Sequence, residues 1–238
     1  MVSPHVPAPE WKDVYRALCQ DIADGRLEPG DDLPTISGLA KKSGLRPHGA
    51  RRVLERLCKE GRAQSWQGKG FRVALPTIRL RLSNKSPVFG DTIRSLGFAA
   101  SSSFLSSKTI GMPPDVAKRM RQRQGSRTKL TQTLRNVNER PVALSLDYFL
   151  RDRLGEIDVS LSRTGSVSRA LGEHGISHYE RDFSELVCRF PTEHEAVMLQ
   201  IPRTQPVYAT IGANLADDGT VFQVSKGIWR ADCVTYEY

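Results

Sequence analysis

Three short apolar stripes at helical spacing, each closed by a glycine signal, leave the first sixty residues of this chain little choice of fold. Trp11, Val14, Tyr15, Leu18, Cys19, Ile22 and Ala23 recur at steps of three and four, which puts them on one face of a helix that Gly25 ends. Residues 27–34 hold two prolines and a Gly-Asp-Asp run and predict an extended, turn-rich connection. Thr35 is placed to cap a second helix with Ile36, Leu39 and Ala40 facing inward, stopping around Ser43-Gly44. A third helix tolerates Pro47 in its first turn, where the missing N–H has no helical partner to lose. Its apolar side is Ala50, Val53, Leu54, Leu57 and Cys58, and Gly61 terminates it. Two strand-like runs, residues 62–66 and 71–75, then flank Gln67-Gly68-Lys69-Gly70 as a hairpin. Three helices and a basic-tipped hairpin describe a winged helix-turn-helix. Its third helix suits the DNA major groove, and its wing the backbone or a minor groove.

Charge follows the same division. Residues 41–72 contain ten basic side chains and two acidic ones, whereas the forty residues before them carry three basic and seven acidic. The net charge of the whole 238-residue chain is +9, so most of it is concentrated on this helix and hairpin. Its natural complement is a polyanion.

Length suits two domains, expected at residues 1–76 and 77–238, with residues 1–9, which hold three prolines, as a loose arm. With 39% hydrophobic and 26% charged residues the chain is of ordinary globular composition. No apolar run approaches the roughly 20 residues of a membrane helix, and the N-terminal segment lacks the basic and apolar regions of a secretory signal. A cytoplasmic location and no membrane partner are therefore expected. Cys19, Cys58, Cys188 and Cys233 form no CxxC pair and are expected as buried reduced thiols. His174 and His178 are four apart, but Gly175 lies between them and no third ligand is near, so no metal is expected. No cofactor is expected either.

After Pro76 the pattern alternates. Ile78, Leu80 and Leu82 interleave with polar residues as in a half-buried strand, and Lys85-Ser-Pro is a turn. Phe89-Gly90-Asp91 opens a short helix ending at Gly97. Residues 101–110 and 129–137 read as strands flanking a basic helix over 114–124, and residues 138–141 turn into a strand over 142–149. A helix from Gly165-Ser166 reaches His174-Gly175. Strands over 180–190, 207–216 and 221–229 follow, with a small helix over 193–199 and a hairpin turn at Asp217-Asp218-Gly219. Strands joined by turns with intervening helices predict an α+β domain built on a mainly antiparallel sheet.

Residues 22–35, Ile-Ala-Asp-Gly-Arg-Leu-Glu-Pro-Gly-Asp-Asp-Leu-Pro-Thr, with Leu39-Ala40, the helix to Leu57, Glu60-Gly61 and Gly68-Lys-Gly-Phe-Arg-Val, resemble the DNA-binding domain of GntR-family bacterial transcription regulators. The resemblance covers about residues 10–75. It implies a DNA-contacting set of Thr35, Ser37, Arg46, His48, Arg51, Arg52, Lys69 and Arg72. The chain departs from the family where Leu-Pro-Ser is usually followed by Glu-Arg, since Ile36-Ser37 stand there. At the start of the third helix Arg46-Pro-His-Gly-Ala-Arg51 replaces Ser-Arg-x-Thr-Val-Arg, so only Arg51 keeps its place. The expected contacts are accordingly with phosphates, and the operator sequence stays open.

The remainder, from about Arg79, resembles the UTRA ligand-sensing domain of HutC-type GntR regulators, which is chorismate-lyase-like in fold. Its landmarks are Phe89-Gly-Asp before Gly97, Leu134-Arg135 before Asn138-x-x-Pro141, Gly165-Ser-Val, Leu199-x-Ile-Pro, Asp218-Gly219 and Trp229-Arg-Ala-Asp. The stretches from Pro141 and Arg163 look closest to the phosphonate-uptake and degradation regulators. The resemblance implies a small anionic effector held by Phe89, Gly90, Asp91, Arg135, Ser145, Tyr148, Ser166, Gln223 and Arg230. Arg135 matches the second arginine of the family's Arg-x-Arg strand and would grip the anion in bidentate fashion, while Thr133 replaces the first. Family members often carry Glu where Gln223 stands, which here would weaken recognition of an amino group.

The function expected is a transcriptional regulator, most simply a repressor, that binds a palindromic operator in double-stranded DNA as a homodimer and responds to a small anionic metabolite. Two other readings compete. One is a sensor whose altered DNA head acts through another partner. The other is a chorismate-lyase-like enzyme, against which stands the lack of any nucleophile elbow, paired-carboxylate set, phosphate loop or metal spacing.

Overall fold

The computed structural model describes residues 10–66, 70–81 and 89–237, and the chain divides into two compact units, Met1–Pro76 and Thr77–Tyr238. The expected N-terminal arm, the hairpin tip with Lys69 and the turn at Lys85 lie outside the described residues.

In the first unit the stripes form helices α1 (Trp11–Ala23), α2 (Ile36–Ser43) and α3 (Pro47–Lys59). The Thr35 Oγ1 accepts the Gly38 N–H at 3.1 Å and so caps α2. Gly44 closes that helix at φ 73°, a conformation open to glycine without steric cost. α3 packs on both other helices and buries Ala50, Val53, Leu54 and Leu57 completely. Val53, Leu54 and Leu57 each contribute roughly 1.5–3 kcal/mol of transfer free energy. The connection expected to be merely extended contains a two-residue strand, β1 (Asp32–Leu33). It pairs with β3 (Gly70–Val73), which pairs in turn with β2 (Ala63–Trp66). This three-stranded sheet closes the core through Leu33, Ala63 and Val73.

The second unit is organised by a six-stranded antiparallel sheet. Its strands are β5 (Ala100–Gly111), β6 (Arg127–Val137), β7 (Arg140–Leu150), β8 (Glu180–Arg189), β9 (Val207–Leu215) and β10 (Val221–Arg230), in the spatial order β5-β6-β7-β10-β9-β8. Alternation along the strands divides the side chains between two layers. On one face, α5 (Pro114–Arg119) and α9 (Glu193–Met198) cover two apolar clusters, one with Val116, Tyr148 and Val224 and one with Leu144, Leu199 and Ile228. On the other, α6 (Arg151–Leu154), α7 (Ile157–Thr164) and α8 (Val167–Glu173) pack Leu154, Ile157, Leu161 and Leu171 against Phe149 and Phe222. Helix α4 (Phe89–Ser95) brings Phe89 to within 6.1 Å of the Trp229 ring.

Four features differ from the sequence expectation. The helices α6 and α7 occupy a stretch with no assigned element. The basic helix stops at Arg119 rather than near residue 124, because the chain turns at Arg121, which has φ 54°. A final strand, β11 (Val234–Glu237), pairs in parallel with β4 (Ile78–Arg81), joining the two ends of the unit. The cysteines are free, yet Cys188 is exposed and only Cys233 is fully buried.

Candidate nucleic-acid interface and effector cavity

The first unit presents a set of exposed polar groups on α2 and α3. Thr35 and Ser37 are exposed, their hydroxyls 3.2 Å apart at the start of α2. Arg46 precedes α3 as its N-cap residue, and His48, Arg51 and Arg52 are exposed along it. The basic residues are not equally available. Arg52 lies over the Trp11 ring at 4.2 Å, so α1 holds it in place. Arg72 pairs with Asp32, its register partner across β1 and β3. Arg56 and Arg62 both pair with Glu60, whose carboxylate also accepts from the Tyr15 hydroxyl. That hydroxyl bond, followed by the arginines, holds the Glu60 carboxyl below its ordinary value and so keeps it charged. Among the described residues Lys41, Lys42, Arg46 and Lys59 make no ion pair and are the freest cations of the surface.

The second unit holds a cavity of about 620 Å³ between its sheet, α4 and the turn from α7 into α8. That turn is set by one glycine. Gly165 caps α7 at φ 60°, and a Cβ there would lie 2.9 Å from the Ser102 carbonyl oxygen on β5. Four arginines (Arg94, Arg135, Arg169, Arg181) and two aspartates (Asp91, Asp147) line the space, so its field favours an anion. Arg94 is tied to Asp91. Arg135 is different: its guanidinium sits 5.5 Å over Phe89 and 5.2 Å from Trp229, with no carboxylate in ion-pair distance among the described residues. Burial pushes this guanidinium below its ordinary value, and the field of Asp147 pushes back.

Of the effector residues expected from the sequence, Phe89, Gly90, Asp91, Arg135, Ser166 and Gln223 all line this cavity. Ser166 also spends its hydroxyl on capping α8, accepting from the Arg169 N–H. Gln223 is tied to neighbours at both ends of its amide, donating to Asp147 and accepting from Asn214. Three expectations need correction. Tyr148 stands on the opposite face of the sheet, packed beside α5 with Lys226 5.5 Å from its ring. Strand parity requires this, because a residue three positions from Ser145 cannot share its face. Ser145 is on the cavity face but is 3% exposed and does not reach the lining. Arg230 binds Asp232 through two bonds of 3.0 and 2.6 Å and donates to the Pro141 carbonyl, so it braces the ends of the central strands β7 and β10. Arg181, Arg169 and Asp147 also line the cavity and are not among the residues expected from the sequence. Asp147 was accessible to the same parity argument, since it lies two residues from Ser145.

Among the described residues no group of three His, Cys, Asp or Glu is placed to hold a metal, and no helix is long and apolar enough to cross a membrane.

Comparison with known proteins gives the two units their relatives. The model of the bacterial regulatory proteins of the gntR family matches residues 11–73, and that of the UTRA domain matches residues 95–235. The chain is a GntR-family regulator of the HutC type, with a UTRA domain. The HTH-type transcriptional repressor NagR of Bacillus subtilis (strain 168) is 23% identical over 230 residues, covering 97% of this chain and 94% of that protein. The mannosyl-D-glycerate transport/metabolism system repressor MngR of Escherichia coli (strain K12) is 22% identical over 233 residues, covering 94% and 92%. Among solved structures, that of PhnF from Mycobacterium smegmatis superposes with a TM-score of 0.62 at 18% identity, over 96% of this chain and 97% of that one. At that identity the likeness establishes the fold. For this GntR regulator the winged helix therefore accounts for the surface on α2 and α3, and the UTRA domain contains the cavity.

Proposed function

We propose that this GntR regulator is a repressor that binds a palindromic operator as a homodimer and releases it when a small anionic metabolite, such as a phosphonate or a phosphorylated compound, occupies the UTRA cavity. The observation that carries the reading is Arg135. A guanidinium held against two aromatic rings, facing a cavity and with no carboxylate in ion-pair distance among the described residues, is arranged to grip an anion through two parallel N–H donors. The relatives named as repressors supply the direction of the response. On the DNA side, Arg46, His48 and Arg51, with Thr35 and Ser37 at the start of α2, are the groups we assign to the operator. Two winged helices related by a two-fold axis double the footprint that one provides.

Linkage makes the coupling testable from either end, because a ligand that weakens operator binding must itself be bound less tightly by the DNA complex. Anisotropy titration of labelled DNA from upstream of its own gene, with and without saturating ligand, tests it. Unchanged operator affinity in the presence of a compound shown to bind would exclude that compound as the inducer. A second reading, a sensor acting through another partner, draws support from Arg52 and Arg72 being engaged within the head. It predicts a steep salt dependence of DNA binding with no sequence preference.

A further inference from the structure

The cavity floor carries a group that anion binding leaves unused. Asp147, on β7, lines the cavity and is 1% exposed. Its Oδ1 accepts from Gln223 Nε2 at 2.8 Å. Its other oxygen, Oδ2, is buried with no hydrogen-bond partner among the described residues. A carboxylate oxygen withdrawn from water without a donor is costly, and such groups mark places where something else completes the site.

The surroundings hold this carboxylate rigidly in one role. Arg181 Nε donates to Asn214 Oδ1 at 3.2 Å, Asn214 Nδ2 donates to Gln223 Oε1 at 2.7 Å, and Gln223 donates onward to Asp147. Arginine has only donors and a carboxylate only acceptors, so the two amides between them can point only one way. The four residues come from β8, β9, β10 and β7, which are neighbours in the sheet. One oxygen of Asp147 is thereby committed to the protein, and the other, on a residue that lines the cavity, is uncommitted among the described residues.

We propose that Asp147 Oδ2 accepts a hydrogen bond from an ammonium group of the effector, so that the ligand of this cavity is a zwitterion carrying an amino group as well as the anion held at Arg135. The inference rests on the anion reading given above and narrows its chemical class. Charge decides for an ammonium over a neutral donor. No cation lies within ion-pair distance of Asp147 among the described residues, and a buried carboxylate is repaid only by a well-placed positive partner. Arg135 feels the Asp147 charge, so an anion drawn to Arg135 feels it too, as repulsion. An amino group on the same molecule converts that repulsion into attraction, and purely anionic compounds are selected against.

Calorimetric titration of the full chain with matched compounds tests this. The sets are 2-aminoethylphosphonate, 2-hydroxyethylphosphonate and ethylphosphonate; O-phosphoethanolamine and ethyl phosphate; and β-alanine and propionate. Within the anion class that binds, the ammonium member is expected to bind about 10- to 100-fold more tightly, the range of one charge-assisted hydrogen bond. The Asp147→Asn variant keeps an oxygen for Gln223 and replaces Oδ2 by a donor, so it should abolish the preference. An amine-free or hydroxyl compound binding as tightly as the amine, or a preference that survives D147N, overturns the proposal. If D147N does not fold, the wild-type comparison decides alone. Binding of anions without amine preference defeats this inference and leaves the anion reading standing. No binding in any class defeats both.

Discussion

Replacement of Arg135 by methionine makes a ligand-gripping role and a structural role predict different changes in stability. The side chain contributes two cation–π contacts, at 5.5 and 5.2 Å, each worth about 0.5–1 kcal/mol where partly exposed. Methionine recovers part of this through sulfur–aromatic contacts of about 0.3–1.5 kcal/mol. Against the remaining loss stands relief from keeping a half-buried guanidinium with no carboxylate in ion-pair distance among the described residues, a penalty of about 1–3 kcal/mol before compensation. The ligand-free variant should therefore unfold within about 1 kcal/mol of the wild type, on either side. Its anion binding should fall about 100-fold, since two charge-assisted bonds are worth about 3 kcal/mol together. Thermal denaturation of the free proteins and calorimetric titration with the tightest-binding anion measure both quantities. An R135M variant that is destabilised by more than about 2 kcal/mol when ligand-free and binds the anion unchanged would make Arg135 a structural residue instead.

Other consequences are equally specific. Gly165→Ala should cost about 1–3 kcal/mol and weaken ligand binding, because the left-handed conformation is strained for alanine and its Cβ would meet the Ser102 carbonyl at 2.9 Å; denaturant titration gives the number. Glu195 completes the capping box of α9 and pairs with Arg189 at 2.7 and 2.8 Å. Burial raises its carboxyl, but the Arg189 pair and the Thr192 N–H outweigh this and hold it below the ordinary value. Its stabilisation is thus present above the unfolded pKa of about 4.3 and lost as pH falls through the lower folded value. Glu195→Gln should accordingly lose roughly 1 kcal/mol at pH 7, with the gap closing in unfolding curves below about pH 4. Arg46→Ala should lower the slope of log affinity for DNA against log salt by about one, whereas Arg72→Ala, already paired with Asp32, should change that slope less and reduce head stability.

The DNA-binding head was legible because its local signals agree with one another. Each apolar stripe ends on a glycine or meets a cap, and α1, α2 and α3 begin and end within a residue or two of the pattern. The UTRA unit was less so. Helices α6 and α7 bury only Leu154, Ile157, Ser160 and Leu161, and Gly155 interrupts the stripe, so their periodicity is too short to stand out. Strand β11 has its partner, β4, at the far end of the unit, and no local pattern announces such pairing. At the cavity, residue type alone does not separate the two faces, whereas strand parity puts Tyr148 on the far face and Asp147 on the cavity face. Gln223 stands where a family member often carries a carboxylate. The structure puts that carboxylate one strand away, at Asp147, with Gln223 as its donor.

Occupancy of the cavity is proposed to control the hold of α2 and α3 on DNA. Its most direct test is the operator dissociation constant of the purified full chain at fixed salt, measured by anisotropy across a titration of a compound that calorimetry shows to bind. Sequence-preferring binding is expected that weakens as the cavity fills, by a factor set by the compound's differential affinity for free and DNA-bound protein. An operator affinity unchanged at saturation, for compounds whose binding depends on Arg135, would contradict it.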